Sequence, residues 1–233
     1  MYVDVVFGLP RRVVENLVVV DVFRSSTSIV MALENGAEEI IPCPSIEKAR
    51  SLKKKLGDRS LLVGERRGIT PRGFDLNISP SELTRGRVEG KKIIYCSTNL
   101  VKAVLKGMTS KLLIIGGLAN AGAVAAYLNM LKPSRLMIVA CGLIPDKLVT
   151  LEDVIGAGAI VSKLDCEELS DTALLAKLVY ENDDWRKLIF NGYIAKYLEK
   201  IGWEKDIEVC LKEDSSKIVP LLSKGVIKGI KME

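Results

Sequence analysis

The segment Val18-Val19-Val20-Asp21-Val22-Phe23-Arg24-Ser25-Ser26-Thr27-Ser28 decides how the rest of the chain is read. A β-branched apolar run ends in an acid, an arginine and a cluster of hydroxyl residues, after which a helical pattern begins at Ile29. This predicts a buried strand that delivers a carboxylate, a cation and a helix N-terminus to one point, a combination suited to an anionic ligand beside a divalent cation. The same residues also fit a plainer arrangement, in which Ser25 or Ser26 is only an N-cap and Asp21 pairs with Arg24. A carboxylate at the end of a buried strand is costly without a cation partner, and that cost favours the functional reading.

Working outward from this segment, strand patterns at 2–7, 17–22, 38–41, 61–63, 92–95, 112–115 and 136–140 alternate with helical patterns at 25–35, 45–57, 100–106, 119–131 and 150–164. Strand, short polar turn and helix in repetition predict an α/β fold, a mainly parallel or mixed sheet with helices on both faces. The polar turns that follow the strands are expected to gather at the carboxyl edge of that sheet, where such folds bind ligands. Small residues in 156–159 predict close packing of their helix against a neighbour. Residues 171–199 read as helix broken near 182–184, and 216–222, which contains Pro220, as a late edge strand or a loop. The expectation is one domain over 1–233, with a mainly helical part, 165–233, packed on it.

The chain has 233 residues and a net charge of +5, and its basic excess is scattered rather than gathered in a stripe. With few aromatics as well, this argues against nucleic acid as a partner and for attraction of small anions into a cleft. No apolar run approaches the length of a membrane span, so the expectation is a cytoplasmic protein without a membrane partner, with a homo-oligomer left open. Five cysteines lie far apart without CxxC spacing and read as buried apolar groups. Histidine is absent, which removes Ser-His-Asp and Cys-His catalysis and every His-ligated metal. Glutamine is absent too, and with abundant Lys, Glu, Ile, Leu and Val the composition leans towards a thermophile.

The most irregular stretch is Gly64-Glu-Arg-Arg-Gly-Ile-Thr-Pro-Arg-Gly-Phe-Asp-Leu-Asn-Ile-Ser-Pro80. A loop this long inside a compact domain is functional or disordered, and Ile69 and Phe74 give it apolar anchors. Glu65 and Asp75 offer oxygens of the kind that hold Mg²⁺, and Arg66, Arg67 and Arg72 offer forks that match phosphate or sulfonate. Asn77 and Ser79 add neutral contacts, and Thr98 and Asn99, at a strand-to-helix turn, are candidates for substrate contact. Glu152 and Asp153 read equally as favourable charges at a helix N-terminus or as ligands or bases. Cys96 to Lys102 and Cys141 to Lys147 mimic a Cys-x5-Arg phosphatase loop only superficially, with lysine at the last position. Neither GxxxxGK[ST] nor GxGxxG spacing is present, and Asp21 is followed by Phe23 where DxD chemistry needs a second acid.

Taken together, Asp21-Val-Phe-Arg24-Ser-Ser-Thr27, Gly64-Glu-Arg66, Gly73-Phe-Asp75-Leu-Asn77-Ile-Ser-Pro80, Ser97-Thr-Asn99, Asn120-Ala121, Cys141-Gly142 and Glu152-Asp153 resemble the 2-phosphosulfolactate phosphatase family of coenzyme M biosynthesis. The resemblance implies a three-layer α/β/α fold and Mg²⁺-dependent hydrolysis of a phosphate monoester to a hydroxy acid and phosphate. The chain departs from the family pattern at Ser25-Ser26 and at Leu100-Val101, where the family has a glycine. On this basis Asp21, Glu65 and Asp75 are expected to hold Mg²⁺. Arg24, Arg66 and Arg72, with Ser25, Ser26 and Thr27, are expected to hold a small anionic phosphorylated substrate, assisted by Asn77, Ser79, Thr98 and Asn99. A metal-activated water is the expected nucleophile with Asp153 as base, and Asp21 as covalent nucleophile is the variant. The rival readings are a relative that binds anions or regulates without catalysis, and a phosphatase for a different phosphorylated hydroxy acid.

Overall fold

A computed structural model describes residues 1–10 and 12–233. In chain order its elements are β1 (Tyr2–Phe7), β2 (Asn16–Val20), α1 (Ser25–Glu34), β3 (Glu39–Pro42), α2 (Ile46–Leu56), β4 (Ser60–Gly64), α3 (Arg85–Val88), β5 (Lys92–Cys96), α4 (Leu100–Lys106), β6 (Leu112–Gly116), α5 (Ala121–Leu131) and β7 (Arg135–Ala140). They continue with α6 (Leu151–Val161), β8 (Glu168–Leu169), α7 (Asp171–Tyr180), α8 (Trp185–Phe190), α9 (Tyr193–Lys200), α10 (Glu204–Cys210), β9 (Ile218–Ser223) and β10 (Val226–Lys231). Local chemistry sets several of these ends. Helix α2 opens on Ser45, whose hydroxyl accepts from the Lys48 amide, carries Lys53, Lys54 and Lys55 in its last turn and stops at Gly57.

The strands form a three-layer α/β/α arrangement around one mixed sheet of order β4-β5-β3-β10-β9-β6-β2-β7-β1-β8. Two parallel blocks, β4-β5-β3 and β6-β2-β7-β1-β8, are joined by the antiparallel hairpin β9–β10. Residues 216–222, expected at an edge, therefore contribute a central strand. Asn120 fixes it there by donating to Ile115 O at 3.2 Å and Ile218 O at 2.9 Å.

Apolar alternation along the strands explains the two faces. Val18 and Val20 point to a core with Ile114, Ile138 and the buried residues of α5 to α9. Leu17 and Val19 point the other way, to Ile115, Val139, Ile40, Ile93, Tyr95 and the apolar faces of α1 and α4. Helix α2 covers Leu62, Ile94 and Cys96 on the outer side of the smaller block.

Three antiparallel steps separate β6 from β3, so along the ladder the two parallel blocks run in opposite directions. A flat sheet would then send their carboxyl ends to opposite edges. The ends of β2, β4 and β5 nevertheless meet, because Asp21, Glu65 and Thr98 line one cleft, with α1 and α4 packed in the core that both blocks share.

The small residues of α6 allow the close packing that holds this region. A Cβ on Gly156 would lie 2.5 Å from Val22 Cγ2, and one on Gly158 would lie 2.1 Å from Ala176 O in α7. The segment 171–199 breaks twice rather than once, with a second interruption before Gly192.

Candidate active site

The Val18–Val20 run ends β2 and leaves Asp21 only 4 % exposed between two helix starts. Asp21 Oδ1 accepts from the Ser25 amide at 3.4 Å and Oδ2 from the Leu100 amide at 3.1 Å, the first residues of α1 and α4. Amide dipoles of this kind favour a carboxylate. Burial acts against them and, with the charges of Asp153 and Glu65, holds the Asp21 carboxyl well above the usual carboxylate range.

The hydroxyls after Arg24 mostly fasten this turn. Ser26 Oγ accepts from the Asp21 amide at 2.9 Å, and Thr27 Oγ1 donates to Val22 O at 3.3 Å. Only Ser25 of this group lines the cleft, a cavity of about 440 Å³ bounded also by Asp21, Glu65, Arg66, Thr98, Asn99, Glu152 and Asp153.

Glu65 enters from the end of β4 and is held on both oxygens. Oε1 accepts from the Thr98 amide and hydroxyl at 2.7 Å each, and Oε2 from the Gly68 amide at 2.9 Å. Arg66 follows it onto the cleft wall, its Nη1 donating to Glu65 O at 2.7 Å. Asn99 Oδ1 accepts from the Ile144 amide at 3.2 Å, tying the start of α4 to the loop after β7.

Asp153 and Glu152 stand in the first turn of α6. Asp153 Oδ1 accepts from the Val22 amide at 2.7 Å and Oδ2 from the Gly142 amide at 2.8 Å, so its carboxylate locks the turns after β2 and β7 together. Gly142 has φ +58°, and a Cβ there would lie 2.2 Å from Leu148 O, so only glycine suits the turn that supplies this amide. Burial and the Glu152 charge push the Asp153 carboxyl up to about 8 against those two amides. Glu152 is pushed up to about 7, first by burial and then by the Asp21 charge.

The remaining candidates are dispersed. Arg72 and Asp75 are exposed and lie off the cleft; Asp75 accepts from the Leu62 amide at 2.7 Å and faces Lys53 at 3.8 Å. The expected trio of Asp21, Glu65 and Asp75 is thus not assembled, because Asp75 caps the side of β4 that carries α2. Asn77 and Ser79 are buried behind the cleft wall. Asn77 Oδ1 accepts from Arg24 Nη2 at 2.9 Å, and Ser79 Oγ donates to Asp206 Oδ1 at 2.7 Å. Arg24 borders the cleft, but its guanidinium is occupied by Asp206 at 2.7 Å and lies 4.7 Å from the Trp203 ring centroid.

Asp206, Trp203 and the cleft-lining Ile194, Tyr197 and Leu198 come from α9, α10 and their junction. Nothing in the spacing of that tail pointed to the site, although Tyr193, Tyr197 and Trp203 make it a relatively aromatic segment. The cysteines are free, and burial pushes the Cys96 thiol up to about 12. No helix among the described residues is long and apolar enough to cross a membrane.

Comparison with known proteins supplies the family. Residues 8–225 match the family model described as 2-phosphosulpholactate phosphatase. A probable 2-phosphosulfolactate phosphatase of Caldanaerobacter subterraneus subsp. tengcongensis is 35 % identical over 221 residues, 92 % of this chain and 90 % of the relative. Similarly named proteins of Thermotoga petrophila and Carboxydothermus hydrogenoformans are 37 % and 38 % identical, covering 96 % and 94 % of this chain and 96 % and 92 % of their own. The chain, with its acid-lined cleft at the meeting of β2, β4 and β5, belongs to the 2-phosphosulpholactate phosphatase family of phosphoric monoester hydrolases.

Proposed function

We propose that this protein hydrolyses 2-phosphosulfolactate, the phosphate monoester of a small acidic hydroxy acid, to sulfolactate and phosphate, with Mg²⁺ as cofactor. The observation that carries the reading is the meeting of Asp21, Glu65, Glu152 and Asp153 in one buried cleft beside Arg66, in a chain of this family.

A divalent cation fits this donor set by charge. Among the described residues none of the four carboxylates is in an ion pair, and mutual repulsion helps raise three of them. Nor, among the described residues, are three acidic or cysteine side chains already gathered around one point. Mg²⁺ does not require such a cluster, since it is commonly held by one or two carboxylates while substrate phosphate and water complete its shell. Asp21 and Glu65 would hold it, with Glu152 beside them. When bound, the cation would offset phosphoryl charge and lower the pKa of a water molecule.

The chain's own residues do the rest. Arg66 binds phosphoryl oxygens, and the amide-rich starts of α1 and α4 hold Asp21 in place. Asp153 joins the Val22 and Gly142 amides and so positions the turns around the cleft. Glu152, whose carboxyl burial raises and which makes no ion pair among the described residues, is suited to take the proton of the attacking water.

Phosphate release from 2-phosphosulfolactate, 2-phospholactate and phosphoglycolate, each with Mg²⁺ and with EDTA, tests this. Release from 2-phosphosulfolactate that EDTA abolishes is the expected result. Binding of these esters without release from any of them would replace hydrolysis by the non-catalytic reading.

A further inference from the structure

The cleft mouth carries an arginine whose backbone is fixed and whose side chain is uncommitted. Arg66 and Ile69 exchange backbone hydrogen bonds of 2.9 and 3.1 Å around a two-residue turn, Arg67-Gly68, with φ of +51° and +74°. Such a turn favours Asn-Gly or Gly-Gly, because the first position is left-handed. Arginine is a poor choice there on backbone grounds.

The turn is nevertheless anchored from behind. Arg67 O accepts from the Tyr197 hydroxyl at 2.9 Å, and Gly68 O accepts from Trp203 Nε1 and Asn77 Nδ2, each at 3.1 Å. A Cβ at Gly68 would lie 2.5 Å from Ile201 Cδ1, so the tail packs tightly on the turn. Among the described residues the Arg67 guanidinium itself makes no hydrogen bond or ion pair, although the residue lines the cleft and is exposed at its mouth. Lys224-Gly225 makes a turn of the same hand between β9 and β10, so it is position that sets Arg67 apart: a fixed backbone holding an uncommitted charged fork on the cleft is the pattern of a ligand contact.

We propose that Arg67 binds the sulfonate of the substrate and sets selectivity for sulfonated over plain hydroxy-acid phosphates. This rests on the phosphatase reading above. A phosphoryl group beside Asp21 and Glu65 is deep in the cleft, since those residues are 4 % and 6 % exposed. Of the substrate's two other anions, the carboxylate sits on the phosphate-bearing carbon and the sulfonate on the next one, so the sulfonate reaches farther from the phosphoryl group and is the one assigned to the mouth. A sulfonate keeps its charge at neutral pH and offers oxygens in more than one direction to a guanidinium fork.

The test is Arg67→Asn, because asparagine suits the left-handed position and keeps the turn. A thermal melt no lower than that of the parent protein confirms the fold. The ratio of kcat/KM for 2-phosphosulfolactate over 2-phospholactate is expected to fall about 10- to 100-fold, the size of a lost charge-assisted contact, and to do so through KM. Tyr197→Phe should shift the ratio the same way by less. A ratio within about twofold of the parent in Arg67→Asn, with contacts of this kind worth more, would overturn the assignment. If the parent protein releases phosphate from neither ester, hydrolysis fails as a reading and calorimetry decides Arg67 separately. Sulfolactate binding weakened about tenfold by Arg67→Asn, with lactate as the comparison, then upholds the contact. Equal binding, or none by the parent, overturns it.

Discussion

The Arg24 guanidinium and the Asp206 carboxylate, 182 positions apart, meet at 2.7 Å with 2 % and 0 % of their side chains exposed. Ser79 and Ser81 donate to the other oxygen of Asp206, and Asn77 accepts from Arg24, so both charges are satisfied without solvent. Through this pair the helix that begins beside Asp21 is tied to the irregular loop and to α10. Breaking one half leaves a buried charge unpaired. Asp206→Ala is expected to cost about 3–5 kcal/mol, read from the urea midpoint, whereas an apolar pair at both positions should recover much of the loss. A midpoint like that of the parent protein in Asp206→Ala would show that the pair does not hold the tail.

Asp21 is where function and stability oppose each other. Asp21→Asn keeps the shape of the side chain but removes the charge, and phosphate release should fall about 10³-fold or more. In EDTA at pH 8 the variant escapes the burial and the repulsion from Asp153 and Glu65 but leaves one amide, of Ser25 or Leu100, facing its NH₂, so its melt should lie no lower than the parent's. Turnover at the parent rate would remove Asp21 from the site.

Stability without divalent cations should fall as pH rises from about 5 to about 8. Glu152 and Asp153 have folded-state pKa values of about 7 and about 8, above those of the unfolded chain. Between the two sets of values the folded state holds more protons than the unfolded one, so each step up in pH favours unfolding, and Asp21, raised in the same direction, adds to the loss. Urea unfolding across this range in EDTA measures the slope. Glu152→Gln should flatten its lower part, and Mg²⁺ should raise stability more at pH 8 than at pH 5. A pH-independent midpoint would mean that the acids are not held protonated by burial.

Arg72 and Asp75 provide the contrast. Both are exposed away from the cleft, so Arg72→Ala and Asp75→Asn should leave kcat/KM within about twofold and stability within about 0.5 kcal/mol of the parent, the usual range for surface changes. Steady-state assays that showed a large loss in either would place the substrate elsewhere.

The strand-to-helix grammar around Val18–Val20 and the polar turns at Asp21, Glu65 and Thr98 were legible because each depends on neighbours in sequence. Chain periodicity predicts strands and their faces, and an acid after a buried strand stands out locally. What sequence could not show was long-range: that the last hairpin lies between the two parallel blocks, that Asp75 turns to the α2 side while Glu65 turns inward, and that Tyr197, Trp203 and Asp206 return from the tail to close the wall. Ser26 and Thr27 illustrate the limit. Their hydroxyls suit an anion site by type, but the backbone of Asp21 and Val22 claims them first.

The hairpin β9–β10 is synthesised after every other strand of the sheet, yet it lies between the two parallel blocks. Until it emerges, β3 and β6 present open edges with unpaired backbone groups, the kind of surface that recruits foreign strands. A nascent chain halted before Ile218 would carry every residue that lines the cleft and still lack the two strands that join the blocks holding them.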